Sequence, residues 1–266
     1  MSESQNIQEN PIIKLFKTKP QRVLSVYFTA GYPNLHDTVS ILQTLEKTGA
    51  DLIEIGIPFS DPIADGETIQ LSSQKALQNG MNLTLLFQQL KDIRKTVKLP
   101  LILMGYMNPI MQFGIEKFCA ACQEVGVNGL IIPDLPMHEY LSTYRQLFEN
   151  HGLVNTFLIT PQTTIDRINL IDSETEGFIY MVSSSSVTGS KQGISYEQIA
   201  YFERIRAMKL KNPLLVGFGI GSKDSFETAS QYSNGAIIGS AFIKALGKDS
   251  TMTLEQKIAD FMTEIL

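Results

Sequence analysis

Residues 51–69 read DLIEIGIPFSDPIADGETI: an apolar run of strand type with one carboxylate in its middle, then two aspartates among prolines and a glycine. On the two-residue period of a β-strand, Leu52, Glu54 and Gly56 face one way and Ile53, Ile55 and Ile57 the other. The isoleucine face suits burial beneath helices. Glu54 is therefore expected on the opposite face, inside a closed barrel near its C-terminal mouth. A lone ionised carboxylate there costs several kcal/mol, or its pKa rises. A carboxyl so tuned suits general acid and base work; the competing reading is a structural glutamate holding a buried amide or tyrosine hydroxyl. Asp61 and Asp65, each taken alone, read as turn-forming residues beside proline and glycine.

The rest of the chain repeats this strand pattern. Strand candidates are Val23 to Thr29, Leu52 to Ile57, Leu101 to Met104, Gly129 to Ile132, Asn155 to Ile159, Phe178 to Val182, Leu214 to Phe218 and Ala236 to Gly239. Amphipathic segments lie between them, such as Thr84 to Val97, Glu139 to Glu149 and Tyr196 to Met208. A last one, Leu254 to Leu266, is expected to seal the bottom or side of the barrel. Eight βα units in 266 residues predict a single-domain α/β TIM barrel over residues 1–266 with an N-terminal helical extension. An open doubly wound sheet puts its glycine fingerprint after the first strand. Here GFGIG follows the seventh, and no acid at the end of the eighth strand could hold a ribose.

Composition excludes several function classes. Hydrophobic residues make up 43% and charged residues 18%, and no apolar run approaches a membrane span of about 20 residues. MSESQNIQEN lacks the basic start and apolar stretch of a signal peptide, which predicts a cytoplasmic protein. The net charge of −5 carries no basic stripe, so nucleic acid is not an expected partner. Cys119 and Cys122 share one helical stripe with Ile115, Phe118 and Val125, and are expected to be buried rather than metal-binding or redox-active.

Two βα connections are enlarged, at roughly 50 and 36 residues between strand starts against about 22 to 28 elsewhere. One carries PFSDPIADGE and the other SSSSVTGSKQG, which read as a catalytic wall and a mobile lid over Ser183–Gly193. After the seventh and eighth strands, GFGIGSKDSF and AIIGSAFIKAL put glycines at helix starts. Ser222 is a candidate N-cap, and Gly239 and Ser240 open the last barrel helix. This pair of turns suits a phosphate. No strand carries the lysine a Schiff-base aldolase needs, and His36, His138 and His151 lack metal-ligand spacing, so no metal is expected.

GADLIEIGIPFSDPIADG, YFTAGYP, MGYMNPI, PDLP, the VTG of the sixth loop and the two glycine turns together resemble the α subunit of tryptophan synthase, in order from about Pro11 to Leu246. The resemblance implies retro-aldol cleavage of indole-3-glycerol phosphate to indole and glyceraldehyde 3-phosphate, a carbon–carbon lyase reaction of tryptophan biosynthesis. Glu54 would be the acid/base and Asp65 the acceptor of the indole N–H. Tyr27, Thr29, Tyr180 and Thr188 would line the substrate, and Gly189, Gly219, Gly239 and Ser240 would hold its phosphate. The resemblance also implies no cofactor on this subunit and a β-subunit partner that carries pyridoxal phosphate. In the αββα assembly, indole would pass through a tunnel and Pro58, Asp61, Asn108, Pro109 and the PDLP turn would lie at or near the contact. A loop contact there would explain exposed Met107, Ile110 and Met111.

This chain departs from the family pattern at Ser184–Ser186, where many relatives carry an arginine, and at Glu67, where proline is common. A non-catalytic activator of the β subunit is the alternative. Loss of Glu54 or Asp65 would be its signature, and both are present. A sugar-phosphate isomerase is disfavoured by the ADG aspartate and by the lack of a metal set or lysine.

Overall fold

The computed structural model describes residues 9–183, 195–217, 219–248 and 251–266. Among them, strands β1 (Val23–Thr29), β2 (Leu52–Gly56), β3 (Leu101–Met104), β4 (Gly129–Ile131), β5 (Val154–Thr156), β6 (Leu158–Ile159), β7 (Ile179–Val182), β8 (Leu214–Gly217) and β9 (Gly235–Ile238) form one sheet. Every pairing is parallel, in the order β5-β4-β3-β2-β1-β9-β8-β7-β6. The two ends of that order are consecutive in the chain, so the sheet curls into a nearly closed (β/α)8 barrel.

The fifth strand differs from the single run expected. Val154–Thr156 pairs with β4, Leu158–Ile159 pairs with β7, and Phe157 lies between them with its carbonyl accepting from Tyr180 N–H at 3.0 Å. The Phe157 ring points outward and meets Tyr140 edge-on at 5.3 Å. The strand changes partner at the residue whose large side chain anchors it to the helix layer.

Both faces of the sheet are covered, which is why its strands read as nearly continuous apolar runs. Ile53, Ile55 and Ile57 join the outer core between sheet and helices, whereas Leu52 joins the inner core with Ile102, Ile131, Phe178, Leu215 and Ile237. The predicted alternation of β2 is the alternation observed.

The bottom of the barrel is sealed by the N-terminal helix Pro11–Thr18, whose Ile12 and Phe16 belong to the inner core. Asn10 caps it by accepting from Ile12 N–H at 2.9 Å, and its amide nitrogen donates to the carbonyls of Asn128 and Gly152, each at 2.8 Å. Those loops lead into β4 and β5, so the cap also pins the plug. Phe16 reaches the Phe178 ring at 5.8 Å. The last helix, Leu254–Ile265, covers the side instead, against Thr38–Lys47 and Ser240–Gly247, with Phe261 and Phe242 rings 5.3 Å apart. With the bottom closed, ligand access is left to the C-terminal mouth.

Cys119 and Cys122 are buried free thiols on the helix Ile115–Val125, as their stripe predicts. Burial pushes Cys119 up to about 11 and Cys122 well above its usual value, so neither is a ready thiolate.

Candidate active site

Glu54 sits on β2 with no solvent exposure. Ser25, from β1, donates its hydroxyl to Glu54 Oε1 at 2.7 Å, and Oε2 has no hydrogen-bond partner among the described residues. Burial pushes the carboxyl up to about 7, with the Ser25 bond pulling the other way. At neutral pH, protonated and ionised forms are then comparably populated. That is the condition for one group to act as both acid and base.

Asp65 comes from the enlarged loop after β2 and is 6% exposed. Tyr106, just beyond β3, donates its hydroxyl to Asp65 Oδ2 at 3.1 Å and accepts from Ala64 N–H at 3.0 Å. Burial raises the Asp65 carboxyl to about 6, against the lowering effect of the Tyr106 bond. Asp61, by contrast, is exposed and accepts from the Ser60 hydroxyl. The two aspartates look alike in sequence and are separated by burial.

Two tyrosines feel the charge of both carboxylates. Tyr27 and Tyr180 are buried, and both hydroxyls are held far above their usual pKa, chiefly by burial, with the charges of both Glu54 and Asp65 adding to the effect. Glu54, Asp65, Tyr27 and Tyr180 are therefore near neighbours within the barrel. Glycines on the neighbouring strands make room for the rings: a Cβ on Gly56 would lie 2.1 Å from the Tyr27 hydroxyl oxygen, and one on Gly217 2.2 Å from that of Tyr180. Gly56→Ala is expected to displace Tyr27 and to destabilise the fold by about 1–3 kcal/mol, the usual cost of overpacking, read from urea denaturation midpoints.

Thr29 is fully buried and its hydroxyl lies 2.7 Å from that of Ser72, on the helix Glu67–Gln78. Ser72 donates to the Ile69 carbonyl at 2.8 Å, which makes Thr29 the donor to Ser72. Glu67 opens that helix, exposed, where a negative charge is favourable, and faces an outer groove lined with Phe59, Pro62 and Leu71.

At the glycine turns, Ser222 caps the helix Lys223–Tyr232 through a capping box with Ser225. Gly219 is exposed with φ +76°. Gly239 precedes the helix Ser240–Gly247 and packs beside the Tyr27 ring. Thr188, Gly189 and the lid from Ser184 to Gly193 lie outside the described residues.

On the loops named for a partner, Asn108 is exposed, Pro109 half-buried and Pro58 buried. Met111 is 60% exposed, but Ile110 is buried at 1% and Met107 is half-buried against the core, which corrects the expected exposure of Ile110. The reason is a short helix, Met107–Phe113, that turns Ile110 inward. Sequence reasoning missed Ser25, Ser72 and Tyr106 as site residues. Among the described residues, no group of three or more His, Cys, Asp or Glu could hold a metal, and no helix is long and apolar enough to cross a membrane.

The family model described as tryptophan synthase alpha chain matches residues 13–265. The chain belongs to the tryptophan synthase alpha chain family. A tryptophan synthase alpha chain from Flavobacterium psychrophilum is 59% identical over 240 residues, covering 90% of this chain and 95% of its own. The solved tryptophan synthase alpha chain of Legionella pneumophila is similar at a TM-score of 0.84 and 32% identity, over 97% of this chain and 96% of its own. A chain of the Mycobacterium tuberculosis tryptophan synthase, in an aminoacrylate-bound form, superposes with a TM-score of 0.83 at 26% identity, over 96% and 98%. Membership assigns this chain the alpha-subunit function in tryptophan biosynthesis, that of a lyase, and implies a β-subunit partner.

Proposed function

We propose that Glu54 and Asp65 cleave indole-3-glycerol phosphate by proton transfer at the barrel mouth. Protonated Glu54 delivers its proton to indole C3, and the positive charge spreads to the ring nitrogen. The Asp65 carboxylate accepts a hydrogen bond from that N–H and stabilises the charge. Glu54, now ionised, takes the proton of the C3′ hydroxyl. The carbonyl of glyceraldehyde 3-phosphate forms, and the C3–C3′ bonding electrons return to the ring, releasing indole. The proton given to carbon is recovered from oxygen, so Glu54 ends as it began.

The buried carboxyl of Glu54, with one oxygen unpartnered, carries this reading. Tyr27 and Tyr180 shape the flat indole slot, Thr29 borders it, and Gly219, Gly239 and Ser240 receive the phosphate; Thr188 and Gly189, assigned to substrate and phosphate by resemblance, lie outside the described residues. The start of the helix Ser240–Gly247 offers backbone N–H groups and a favourable dipole to that anion. No step needs a cofactor on this chain; pyridoxal phosphate belongs to the β partner, which Pro58, Asp61, Asn108 and Pro109 meet in a cytoplasmic αββα assembly.

The test is indole release from indole-3-glycerol phosphate by the purified protein, with and without a β subunit. Indole is expected in both cases; its absence in both would remove the proposal. The pH dependence follows from the two carboxyls. Asp65 must be ionised, so kcat/KM is expected to fall below about pH 6, and Glu54 must be protonated, so it falls above about pH 7. The limbs belong to the pair as macroscopic values. A profile flat from pH 5 to 8 would contradict the assignment.

A further inference from the structure

We infer that Tyr106 is a positioning residue for Asp65, and that the β4 loop holds Tyr106 in place through Asp134. This rests on the proposed role of Asp65. The Tyr106 hydroxyl accepts from Ala64 N–H at 3.0 Å and donates to Asp65 Oδ2 at 3.1 Å, so one oxygen atom ties down both the backbone and the carboxylate of the loop. That use of Oδ2 leaves Oδ1 to a substrate N–H.

Among the described residues, the loop otherwise has little to fix the carboxylate. Asp65 N–H donates to the Pro62 carbonyl at 3.0 Å and its own carbonyl accepts from Gln70, bonds that set its backbone but not its side chain. The Tyr106 ring is 5% exposed and packs against Phe59 of the same loop, centroids 5.3 Å apart. Next to it, Met107 N–H donates to both oxygens of Asp134, at 3.0 and 3.2 Å. Asp134 belongs to the PDLP turn after β4. Three successive βα loops are thus joined in series, from Asp134 through Met107 and Tyr106 to Asp65.

Among the described residues, the ionisable groups bearing on Asp65 are Tyr106 from the β3 loop, Tyr27 from β1 and Tyr180 from β7; Asp134 and Asp65 act in turn on Tyr106. Glu67, two residues on, is exposed. Tyr106 is the group that donates to the ionised form of Asp65, so its removal makes ionisation harder.

Tyr106→Phe keeps the ring against Phe59 and deletes the hydroxyl. In indole release, kcat is expected to fall about tenfold with KM within about twofold, and the acid limb of the pH profile to move up by about one unit. A limb position does not depend on how much of the protein is folded. In a cycle with Asp65→Asn, the tyrosine change is expected to cost little further activity. An unmoved acid limb, or the same loss in both backgrounds, would overturn the inference while wild-type indole release still stood. Failure of the wild type to release indole would instead remove the reading beneath it.

Discussion

Glu54→Gln is expected to lose indole release by about a thousandfold or more in kcat, and to become more stable than the wild type above pH 7. The activity loss follows because, in the proposed mechanism, Glu54 both supplies the proton to C3 and takes one from the C3′ hydroxyl. General acid and base catalysis contributes about 10²–10⁴ for one such role, and the mechanism asks two of Glu54. The stability gain follows from linkage. The folded protein holds the Glu54 proton up to about pH 7, whereas the unfolded chain releases it near 4.5. Between those values unfolding releases a proton, so stability falls as pH rises. The full penalty, on the order of 3 kcal/mol, is present above pH 7 and absent below the unfolded value.

Glutamine carries no such penalty. Its carbonyl can still accept from Ser25, while its amide occupies the position of the unpartnered oxygen and gives back about 1 kcal/mol. Urea denaturation of both proteins at pH 5.5 and 8 should show an advantage for glutamine that grows with pH. A gap independent of pH would mean that the carboxyl titrates at an ordinary value. A residue whose replacement stabilises the fold and removes activity is the expected pattern for a site held against its own folding preference.

Asp65→Asn is expected to lower kcat by about 10²–10³ with little change in KM. The amide keeps a carbonyl oxygen for Tyr106, so the loop holds its place, but the negative charge is gone. The uncharged indole ring of the bound substrate needs that charge little; the ring nitrogen needs it only once C3 is protonated. Removing an interaction made mainly in the transition state lowers kcat and kcat/KM together. The acid limb near pH 6 is expected to disappear in the same variant, leaving only the alkaline limb. Equal losses in KM and kcat/KM, with kcat unchanged, would make Asp65 a binding residue instead.

The barrel and its main carboxylate were legible because parallel strands with both faces covered leave long apolar runs, and Glu54 breaks one at a position that period two assigns to the interior. The break in the fifth strand was not legible, since Phe157 is as apolar as its neighbours and only the change of hydrogen-bonding partner marks it. Leu254–Ile265 takes the side, one of the two surfaces expected for it, and the shorter Pro11–Thr18 takes the bottom; both have a strong apolar stripe, and a stripe alone does not say which surface it covers. Ile110 is buried rather than exposed because MNPIMQF, with a proline in its first turn, reads as a loop in sequence but forms the helix Met107–Phe113.

Tyr106 shows a different limit. A single tyrosine after a strand has no period and no spacing to mark it; its role exists only because the β2 loop folds back over the end of β3. Asp61 and Asp65 illustrate the same point from the other side. Neither proline nor glycine nearby distinguishes them, and the difference lies in which one the loop buries.

The most direct measurement is a titration of the Glu54 carboxyl itself, by carbon-13 NMR of glutamate-labelled protein with Glu54→Gln identifying its signal. A midpoint near 7 is the predicted result. A midpoint between 4 and 5, the range of an exposed glutamate, would contradict the claim that barrel burial tunes this carboxyl to exchange protons at neutral pH.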